Sequence, residues 1–352
     1  MKILFVISGL GTGGAEKVLT LLANNFFSKE YDVNILKFND TTPFFYLEPK
    51  INIYSMEKNF NKLQAIKKIK SLQAKFQGIS PDIIISFTTT VNIYSIIAAK
   101  ILRLPIIVSE HTNYHRTKNL IWKYLRRVSY PFANKVVLLT EYDKKQYTFL
   151  KQKVVIRNPL VLTNQHQNVQ KDKLILAVGR LHKVKGFDLL IEAFANINNT
   201  SWKLEILGDG EEYTNLQEQI KKLNLSHRVK LLGAKKDIEL YYKRASIFVL
   251  SSRAEGFPGS LCEAMGYGCP SIAFNCISGP NEIITHKQNG ILVQPNNIQE
   301  LIYALNYLIK NKKIRKKFEK NSTILNKKLN LEKISTIWLT EIKSILSNDP
   351  LI

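Results

Sequence analysis

Residues 247–264 read IFVLSSRAEGFPGSLCEA, and this stretch predicts a buried strand, a loop and the start of a helix. Residues 247–250 are uniformly apolar, as in a strand that is covered on both faces. The apolar residues after the Gly-Phe-Pro turn have the spacing of one helical face: Leu261, Ala264 and Met265. A strand that passes through a loop into a helix is the repeating unit of parallel α/β folds.

This stretch also brings two carboxylates to a helix N-terminus. Glu255 lies on the loop that leaves the strand, and Glu263 lies within the helix. We expect the backbone amides at the start of the helix to be free to bind an anion: those of Gly259, Ser260 and Leu261. An anion flanked by two carboxylates that can bind hydroxyls is typical of a sugar attached to a nucleotide diphosphate.

The chain is long and strongly basic. Its 352 residues are too many for one ordinary core, so two domains are expected. The hydrophobic content of 45% with 16 Gly and 11 Pro is typical of a globular protein. The formal net charge of +23 favours anionic partners such as nucleic acid, phosphorylated substrates or an acidic membrane surface. A lysine-rich composition with solvated faces would give the same charge.

Cysteine usage and hydropathy favour a cytoplasmic setting. Cys262, Cys269 and Cys276 lack the spacing of zinc ligands, and their odd number does not suggest a disulfide framework. The apolar run at residues 3–7 is too short for a signal peptide, and no apolar stretch reaches the ~20 residues that span a bilayer. We therefore expect any membrane contact to be peripheral, on the inner face of the cytoplasmic membrane.

Two series of short apolar runs alternate with helix-patterned stretches and predict two parallel sheets covered on both faces. The runs lie at residues 3–7, 33–36, 83–86, 106–109, 136–139, 174–178, 203–207, 229–232, 247–250 and 271–274, and a shorter strand-like run lies at 154–156. A polar stretch at residues 158–172 separates the two series. We predict two doubly wound, Rossmann-like α/β domains facing each other across a cleft, at residues 1–160 and 173–330. An amphipathic helix at 331–352 should pack back toward the first domain.

The first strand is followed by a glycine-rich loop, GLGTGGAE at residues 9–16. Its glycines let the backbone approach a phosphate closely, so Gly13 and Gly14 are candidates for contact with the donor. Three of the glycines also match the dinucleotide fingerprint G-x-G-x-x-G, for which Asp40 would be the ribose-binding acid, although it lies beyond the second strand. An NAD-dependent oxidoreductase is therefore one alternative, and a tight turn that binds no ligand is another.

Two cations in the second half lie between a strand and the next helix. Arg180 follows the strand and Lys185 precedes the helix, so both can hold a diphosphate and stabilise the charge on a departing nucleoside diphosphate. Gly208, after the next strand, would let the chain pass close to the nucleotide. Cations on such loops are also common on ordinary surfaces. Because no Asp-x-Asp motif occurs, we expect no bound metal and no cofactor.

His111 follows a predicted strand of the first half, in the sequence VSEHT at residues 108–112. A lone histidine is often structural or solvated. Its place at the carboxyl end of a strand favours a functional role. We expect it to form a hydrogen bond to the transferred sugar and to shield charge, rather than to transfer a proton.

Two basic stretches in the first half, residues 58–75 and 116–127, combine cations with apolar side chains. Helices with a basic face and an apolar face can lie on anionic lipid. Six cations are therefore candidates for binding a lipid-linked diphosphate or a membrane: Lys67, Lys68, Lys70, Arg116, Arg126 and Arg127. A helix that packs one face and solvates the other would show the same pattern. No base-stacking or groove-reading motif is present, which disfavours nucleic acid.

Several short motifs occur in a characteristic order and spacing: GGAE at 13–16, His111, GR at 179–180, KG at 185–186 and the Glu-x7-Glu segment at 255–263. With them the chain resembles family 4 of the retaining glycosyltransferases (GT4), which have the GT-B fold, over nearly its whole length. The resemblance implies that the first half binds the acceptor and the second half binds the nucleotide-sugar.

The resemblance also implies a role for each site residue. Glu263 would bind the ribose, Glu255 would bind the donor sugar, and His111 would meet that sugar. Arg180 and Lys185 would bind the diphosphate. The remaining contacts to the donor would come from the turn and helix start at Gly256, Phe257, Pro258, Gly259, Ser260 and Leu261.

Residues 109–113 and 125–132 are similar to a bacterial branch that extends glycans on polyprenyl diphosphate, such as the GalNAc transferases of N-glycan pathways in epsilonproteobacteria. Residues 275–280 depart from the glycine-rich loop of many relatives. The expected activity is metal-independent transfer, with retention, of a hexose or N-acetylhexosamine from a UDP-sugar to a polyprenyl-diphosphate-linked glycan. It would serve surface polysaccharide or glycoprotein glycan assembly. A non-catalytic sugar-binding GT-B protein is a further alternative.

Overall fold

The computed structural model describes residues 1–56, 64–117, 119–163, 169–197 and 199–347. The chain forms two compact units. The first unit contains Met1–Pro159 together with Leu331–Ile352, and the second contains Leu160–Asn330. Part of the predicted linker, residues 164–168, lies outside the described residues.

Seven parallel strands form the sheet of the first unit, within the described part of the chain. They are β1 Lys2–Ile7, β2 Asp32–Lys37, β3 Asn52–Ser55, β4 Ile83–Phe87, β5 Ile106–Ser109, β6 Lys135–Leu138 and β7 Lys153–Val155. Their order across the sheet is β3-β2-β1-β4-β5-β6-β7. The intervening helices are α1 Gly14–Phe27, α2 Ala65–Ile79, α3 Thr89–Ile101, α4 Leu120–Ser129 and α5 Glu141–Gln146.

Both faces of this sheet are buried. In β1, Ile3, Phe5 and Ile7 belong to one apolar cluster, whereas Leu4 and Val6 belong to another. Because successive side chains of a strand point to opposite faces, the two clusters lie on opposite sides of the sheet. The uniformly apolar strand sequences follow from this double burial, and the predicted doubly wound fold is confirmed.

Six parallel strands form the sheet of the second unit, again within the described residues. They are β8 Leu174–Val178, β9 Lys203–Leu207, β10 Val229–Leu231, β11 Ile247–Leu250, β12 Ser271–Phe274 and β13 Gly290–Val293, in the order β10-β9-β8-β11-β12-β13. The helices are α6 Phe187–Ala195, α7 Tyr213–Lys222, α8 Ile238–Arg244, α9 Gly259–Gly266, α10 Pro280–Ile283, α11 Ile298–Lys310, α12 Lys312–Ser322 and α13 Ile324–Lys328.

The last helix, α14 Leu331–Leu346, belongs to the first unit although it follows the second in sequence. Its buried stripe of Ile334, Trp338 and Ile342 joins the apolar cluster that contains Phe5. The helix packs along α1. The amphipathic spacing of this segment is explained by that packing.

Two strands were not predicted from the sequence. The edge strand β3 has exposed or half-buried side chains, so its sequence NIYS carries no continuous apolar run. The strand β13 begins at a glycine and contains only four residues. Both lie at sheet edges, but only β3 is largely uncovered, since Ile291 and Val293 of β13 are buried.

Candidate functional site

The loops after β8 and β11 place the predicted donor-binding side chains at one edge of the second sheet. The two strands are parallel neighbours, so their carboxyl ends lie side by side. Lys185 Nζ lies 2.7 Å from Glu255 Oε1, and the Glu255 residue is only 8% exposed. A buried carboxylate is costly unless it is paired, and Lys185 provides the pairing cation. The predicted cation and acid are therefore in direct contact.

A second ion pair, which sequence reasoning missed, connects the same two loops. Arg253 donates two hydrogen bonds to Asp188, at 2.8 and 2.6 Å. Arg253 also donates through its side chain to the Lys183 carbonyl at 2.6 Å and through its backbone to the Val184 carbonyl at 2.8 Å. Burial raises the pKa of Asp188, but the hydrogen bonds and charge of Arg253 outweigh it and hold the pKa below its usual value. Arg253 thus fixes the turn that carries Lys185.

The turn that carries Lys185 also requires a glycine. Residues Lys183–Lys185 form a short 3-10 turn, and Gly186 follows with a φ of +64°. A side chain at this position would collide with the Ser251 carbonyl, and the backbone itself would be strained. The Ser251 hydroxyl donates to the Lys185 carbonyl at 3.0 Å. The backbone at Lys185 is therefore held on both sides.

The start of α9 presents free backbone amides. Pro258 precedes the helix without a side-chain cap, and the amides of Gly259 and Ser260 have no acceptor among the described residues. A side chain built at Gly259 would meet nothing within 4 Å, so the space there is open. The Leu261 amide donates to the Pro258 carbonyl at 3.1 Å, so the prediction that it is free was wrong. The first turn of the helix closes with an i to i−3 bond that uses this amide.

The turn before α9, which contains Gly256 and Phe257, is supported by the loop at residues 275–280. Ser278 Oγ donates to the Gly256 carbonyl at 3.1 Å. Cys276 is buried in the same loop, and burial raises the pKa of its thiol to about 12. The loop that departs from the glycine-rich pattern thus packs under the Gly-Phe-Pro turn.

The predicted ribose-binding acid, Glu263, contacts a buried tyrosine. Glu263 Oε2 accepts a hydrogen bond from the buried Tyr242 hydroxyl at 3.1 Å. Burial and, to a smaller extent, the neighbouring Glu263 carboxylate raise the pKa of Tyr242 well above its usual value, so the phenol stays protonated.

Arg180 is exposed, and its side chain forms no hydrogen bond or ion pair within the described residues. Gly208, with a φ of +133°, packs against the Gly179 backbone.

In the first unit, His111 lies directly beyond the carboxyl end of β5. Its ring stacks on Phe87, the last residue of β4, with centroids 5.1 Å apart and planes at 29°. Phe87 in turn stacks on Trp338 of α14 at 6.4 Å. Burial lowers the pKa of His111 to about 3, so the imidazole is neutral near pH 7. The ring is therefore an uncharged group held by aromatic packing.

The residue before it, Glu110, is a buried carboxylate that sequence reasoning did not single out. It is 2% exposed and accepts hydrogen bonds from three hydroxyls: Thr89 at 2.9 Å, Thr112 at 2.7 Å and Tyr130 at 2.7 Å. Charge-assisted bonds from several donors can offset the cost of burying a carboxylate. The network fixes the backbone on both sides of His111.

Arg126 was a candidate for binding a lipid-linked diphosphate or a membrane, and this prediction was wrong because the residue is buried. Its side chain is buried between two rings, with the guanidinium carbon 4.5 Å from the Tyr114 centroid and 5.0 Å from the Tyr147 centroid. It also donates to the Tyr114 carbonyl at 3.2 Å and to the Thr117 hydroxyl at 3.3 Å. Helix α4 turns this residue inward, so the arginine acts in packing.

The other five predicted cations lie nearer the surface. Lys67, Lys70, Arg116 and Arg127 are exposed, while Lys68 is half-buried over the Tyr94 ring at 5.2 Å. Arg116 lies on a 3-10 turn before α4, not on the helix. The residues Lys58 and Lys62 of the first basic stretch, and Lys118 of the second, lie outside the described residues.

An exposed apolar stripe lies beside the basic residues of α4. The stripe consists of Leu120, Tyr124 and Val128 of α4 and Phe132 of the 3-10 turn that follows. They lie at four-residue intervals and are 77, 67, 47 and 54% exposed. Ile121 is 67% exposed next to them. We call these five residues, with the exposed Lys123 and Arg127, the α4 face. Sequence reasoning found the basic stretch but did not identify which apolar residues remain uncovered.

The glycine-rich loop leads into α1 with Gly13 as the N-cap and Gly14 as the first helical residue. A side chain at Gly13 would collide with the Glu16 carboxylate, whereas one at Gly14 would meet nothing within 4 Å. Asp40 is the candidate for binding ribose in the oxidoreductase alternative, and its Oδ1 lies 3.3 Å from Lys37 Nζ.

The described residues lack both a metal-binding cluster and a membrane-spanning helix. They contain no group of three or more His, Cys, Asp and Glu side chains that could hold a metal ion. Within the same residues, every helix is too short or too polar to cross a membrane.

Comparison with known proteins assigns this arrangement to a family. The profile described as "Glycosyltransferase Family 4" matches residues 12–160, and the profile described as "Glycosyl transferases group 1" matches residues 162–324. Both profiles describe glycosyltransferases, and the two Rossmann-like units give the chain the GT-B fold. The chain belongs to glycosyltransferase family 4, and this membership does not favour the oxidoreductase alternative.

Two similar relatives match almost end to end. An uncharacterized glycosyltransferase of Haemophilus influenzae is 32% identical, covering 96% of this chain and 98% of its own. A Campylobacter jejuni protein is also 32% identical, covering 98% of this chain and 99% of its own. It is named "GalNAc-alpha-(1->4)-GalNAc-alpha-(1->3)-diNAcBac-PP-undecaprenol alpha-1,4-N-acetyl-D-galactosaminyltransferase". The crystal structure of Anabaena HepE in complex with UDP has a TM-score of 0.81 at 21% identity, covering 98% of this chain and 100% of HepE.

Proposed function

We propose that this glycosyltransferase moves a hexose or N-acetylhexosamine, with retention of configuration, from a UDP-sugar to a glycan linked to polyprenyl diphosphate. The reaction serves surface polysaccharide or glycoprotein glycan assembly and requires no metal ion. The names of the relatives support an N-acetylhexosamine and a lipid-linked acceptor, because a Campylobacter relative is named for both. The UDP complex of a protein with the same fold supports the nucleotide.

The observation that carries the proposal is the Lys185–Glu255 ion pair beside the open start of α9. Lys185 and the exposed Arg180 provide positive charge for a diphosphate, and the amides of Gly259 and Ser260 provide hydrogen-bond donors for it. In this assignment Glu255 binds hydroxyls of the donor sugar. Glu263, already oriented by Tyr242, binds the ribose hydroxyls.

The proposed chemistry needs little from the protein beyond position and charge. The acceptor hydroxyl forms a bond to the anomeric carbon on the face from which the diphosphate leaves. The bond from that carbon to the phosphate oxygen breaks, and the departing oxygen takes the proton of the hydroxyl. Lys185 and Arg180 stabilise the negative charge that develops on the diphosphate. The neutral His111 contributes a hydrogen bond to the sugar and does not act as a base.

The lipid-linked acceptor implies peripheral contact with an anionic membrane, which we assign to the α4 face. The exposed apolar stripe can enter the headgroup region while Lys123 and Arg127 meet anionic lipid. The exposed lysines of α2, Lys67 and Lys70, add positive charge to the same unit. Because Arg126 is buried, five of the six cations remain candidates for binding the diphosphate of the acceptor: Lys67, Lys68, Lys70, Arg116 and Arg127.

The activity test offers the full-length protein a panel of UDP- and GDP-sugars with an isolated polyprenyl-diphosphate-linked oligosaccharide, with and without EDTA. We expect UDP release and a product heavier by one or more sugars, with the anomeric configuration of the donor, at the same rate in EDTA. An inverted linkage or loss of activity in EDTA would contradict the mechanism.

Binding measurements separate the proposal from its two alternatives. Calorimetric titration should show binding of UDP and none of NADH. A sugar-binding protein without catalysis would bind UDP-sugar but would give no product with any acceptor in the panel.

A further inference from the structure

In the first unit, His111 forms one hydrogen bond that bears on which of its ring nitrogens carries the proton. His111 Nε2 lies 3.0 Å from Ser109 Oγ. Ser109 is the last residue of β5 and is 0% exposed. Within the described residues, the Ser109 hydroxyl and the His111 ring form no other hydrogen bond.

The proton of the Ser109 hydroxyl needs an acceptor because the group is fully buried. Nearly all buried hydroxyls are paired, and a serine hydroxyl has one proton to donate. The acceptor within reach is Nε2 of His111. A nitrogen that accepts this bond carries no proton of its own, so in a neutral imidazole the proton lies on Nδ1.

Aromatic packing fixes the plane in which that proton points. Phe87 covers one face of the His111 ring, and Phe87 is the register partner of Ser109 across the β4–β5 pair. Trp338 and Phe5 pack on Phe87 in turn, with centroids at 6.4 and 6.1 Å. The imidazole is therefore held by a stack on one face and by a hydroxyl on one edge, which leaves Nδ1 for a ligand.

We propose that Ser109 is a positioning residue that holds His111 as the Nδ1–H tautomer, so that His111 presents a hydrogen-bond donor to a sugar oxygen. The sugar part rests on the proposed function, whereas the tautomer itself does not. Because the imidazole is neutral, it can donate to a hydroxyl or ring oxygen of the sugar at any pH near 7.

Nuclear magnetic resonance tests the tautomer directly. Full-length protein carrying ¹⁵N-labelled histidine is compared with its Ser109→Ala variant, and the His111 signals are assigned by their absence in His111→Gln. The wild type should show a protonated Nδ1 and an unprotonated Nε2, and Ser109→Ala should shift toward the Nε2–H form. A wild-type ring protonated at Nε2, or an unchanged tautomer in Ser109→Ala, would overturn the proposal.

Kinetics test the function of the tautomer. Ser109→Ala should lower kcat/KM for the nucleotide-sugar about 3- to 10-fold, the effect of one neutral hydrogen bond, and Ser109→Thr should restore it. The matched control is Ser95→Ala, because Ser95 has a buried hydroxyl in the same unit without a partner within the described residues. Equal activity of Ser109→Ala and wild type would refute the role in sugar binding.

Failure of the two proposals can be distinguished. If the wild type turns over no nucleotide-sugar, the proposed function fails while the NMR result still decides the tautomer. If the wild type is active but Ser109→Ala keeps both its tautomer and its rate, the function stands and the role of Ser109 falls.

Discussion

The two units share one fold but present different chemistry at the carboxyl ends of their strands. In the second unit, full charges are paired there: Lys185 with Glu255 and Arg253 with Asp188. In the first unit the corresponding edge carries the neutral His111, and the neighbouring Glu110 is buried among hydroxyl donors. Under the proposed function this difference is a division of labour. The second unit binds the charged diphosphate of the donor and, through Glu255, hydroxyls of its sugar, whereas the first unit offers that sugar an uncharged donor in His111.

The reason for such a division is electrostatic. A diphosphate needs cations and free amides, because its negative charge must be stabilised as it leaves. A sugar hydroxyl needs directed donors and acceptors, and a neutral imidazole in an aromatic stack provides a donor without adding charge. Variants that change charge in one unit and not in the other therefore test the comparison.

The largest effect is expected from the second unit. Lys185→Ala should lower kcat/KM for the UDP-sugar by about 10²- to 10³-fold, as when one charge-stabilising donor is removed. The matched control is Lys183→Ala, because Lys183 is an exposed lysine on the same turn. If the Lys185→Ala enzyme is as active as the Lys183→Ala enzyme, Lys185 does not stabilise the charge on the diphosphate.

A smaller effect is expected from the exposed surface of the first unit. Ile121→Glu on the α4 face should weaken co-sedimentation with anionic vesicles about tenfold, because a partly inserted apolar side chain becomes charged. The control is Tyr303→Glu, since Tyr303 is 74% exposed in the second unit. Equal loss in the two variants would show that the effect comes from net charge, and no vesicle binding of the wild type at low salt would exclude the membrane contact.

A stability effect that depends on pH is expected from the Arg253–Asp188 pair. The pKa of Asp188 is lower in the folded state than in the unfolded state, where it is about 3.9. The stabilisation by Asp188 is therefore full above the unfolded-state pKa and is lost as the pH falls through the folded-state pKa. Asp188→Asn should cost less than about 1 kcal/mol at pH 7, because the pair is partly exposed to solvent. Denaturation at several pH values should show the difference from wild type vanishing in acid; a difference that grows in acid would contradict this assignment.

The smallest effect is the shape of the pH–rate profile. Because the pKa of His111 is about 3, the ring stays neutral from about pH 5.5 to 7.5, the range in which an ordinary histidine titrates. His111→Gln should lower kcat but leave the shape of the profile unchanged there. A wild-type inflection near pH 6.5 that disappears in His111→Gln would show that the ring titrates during catalysis.

Sequence patterns predicted the layers of the fold because double burial requires continuous apolar strands. The runs at 174–178, 203–207, 247–250 and 271–274 coincide with β8, β9, β11 and β12. The edge strand β3 escaped prediction because little of its surface is buried.

The site was only partly predictable, because partners far apart in sequence decide its details. Nothing in the spacing of Lys185 and Glu255 indicates that they contact each other, nor that Arg253 reaches Asp188. The helical position of Arg126 indicates a basic helix but not which side faces inward. The pairing of Ser109 with His111 needed coordinates, although the i, i+2 spacing at a strand end could have suggested it.

The most direct test of the division between the units is the affinity for UDP alone, measured by calorimetry on three full-length proteins. UDP lacks the sugar, so its binding should depend on the charged unit only. We predict that Lys185→Ala weakens the Kd by at least about tenfold, while His111→Gln binds UDP as tightly as the wild type. Equal weakening of UDP binding in the two variants, or weaker binding in His111→Gln alone, would contradict the division between the units.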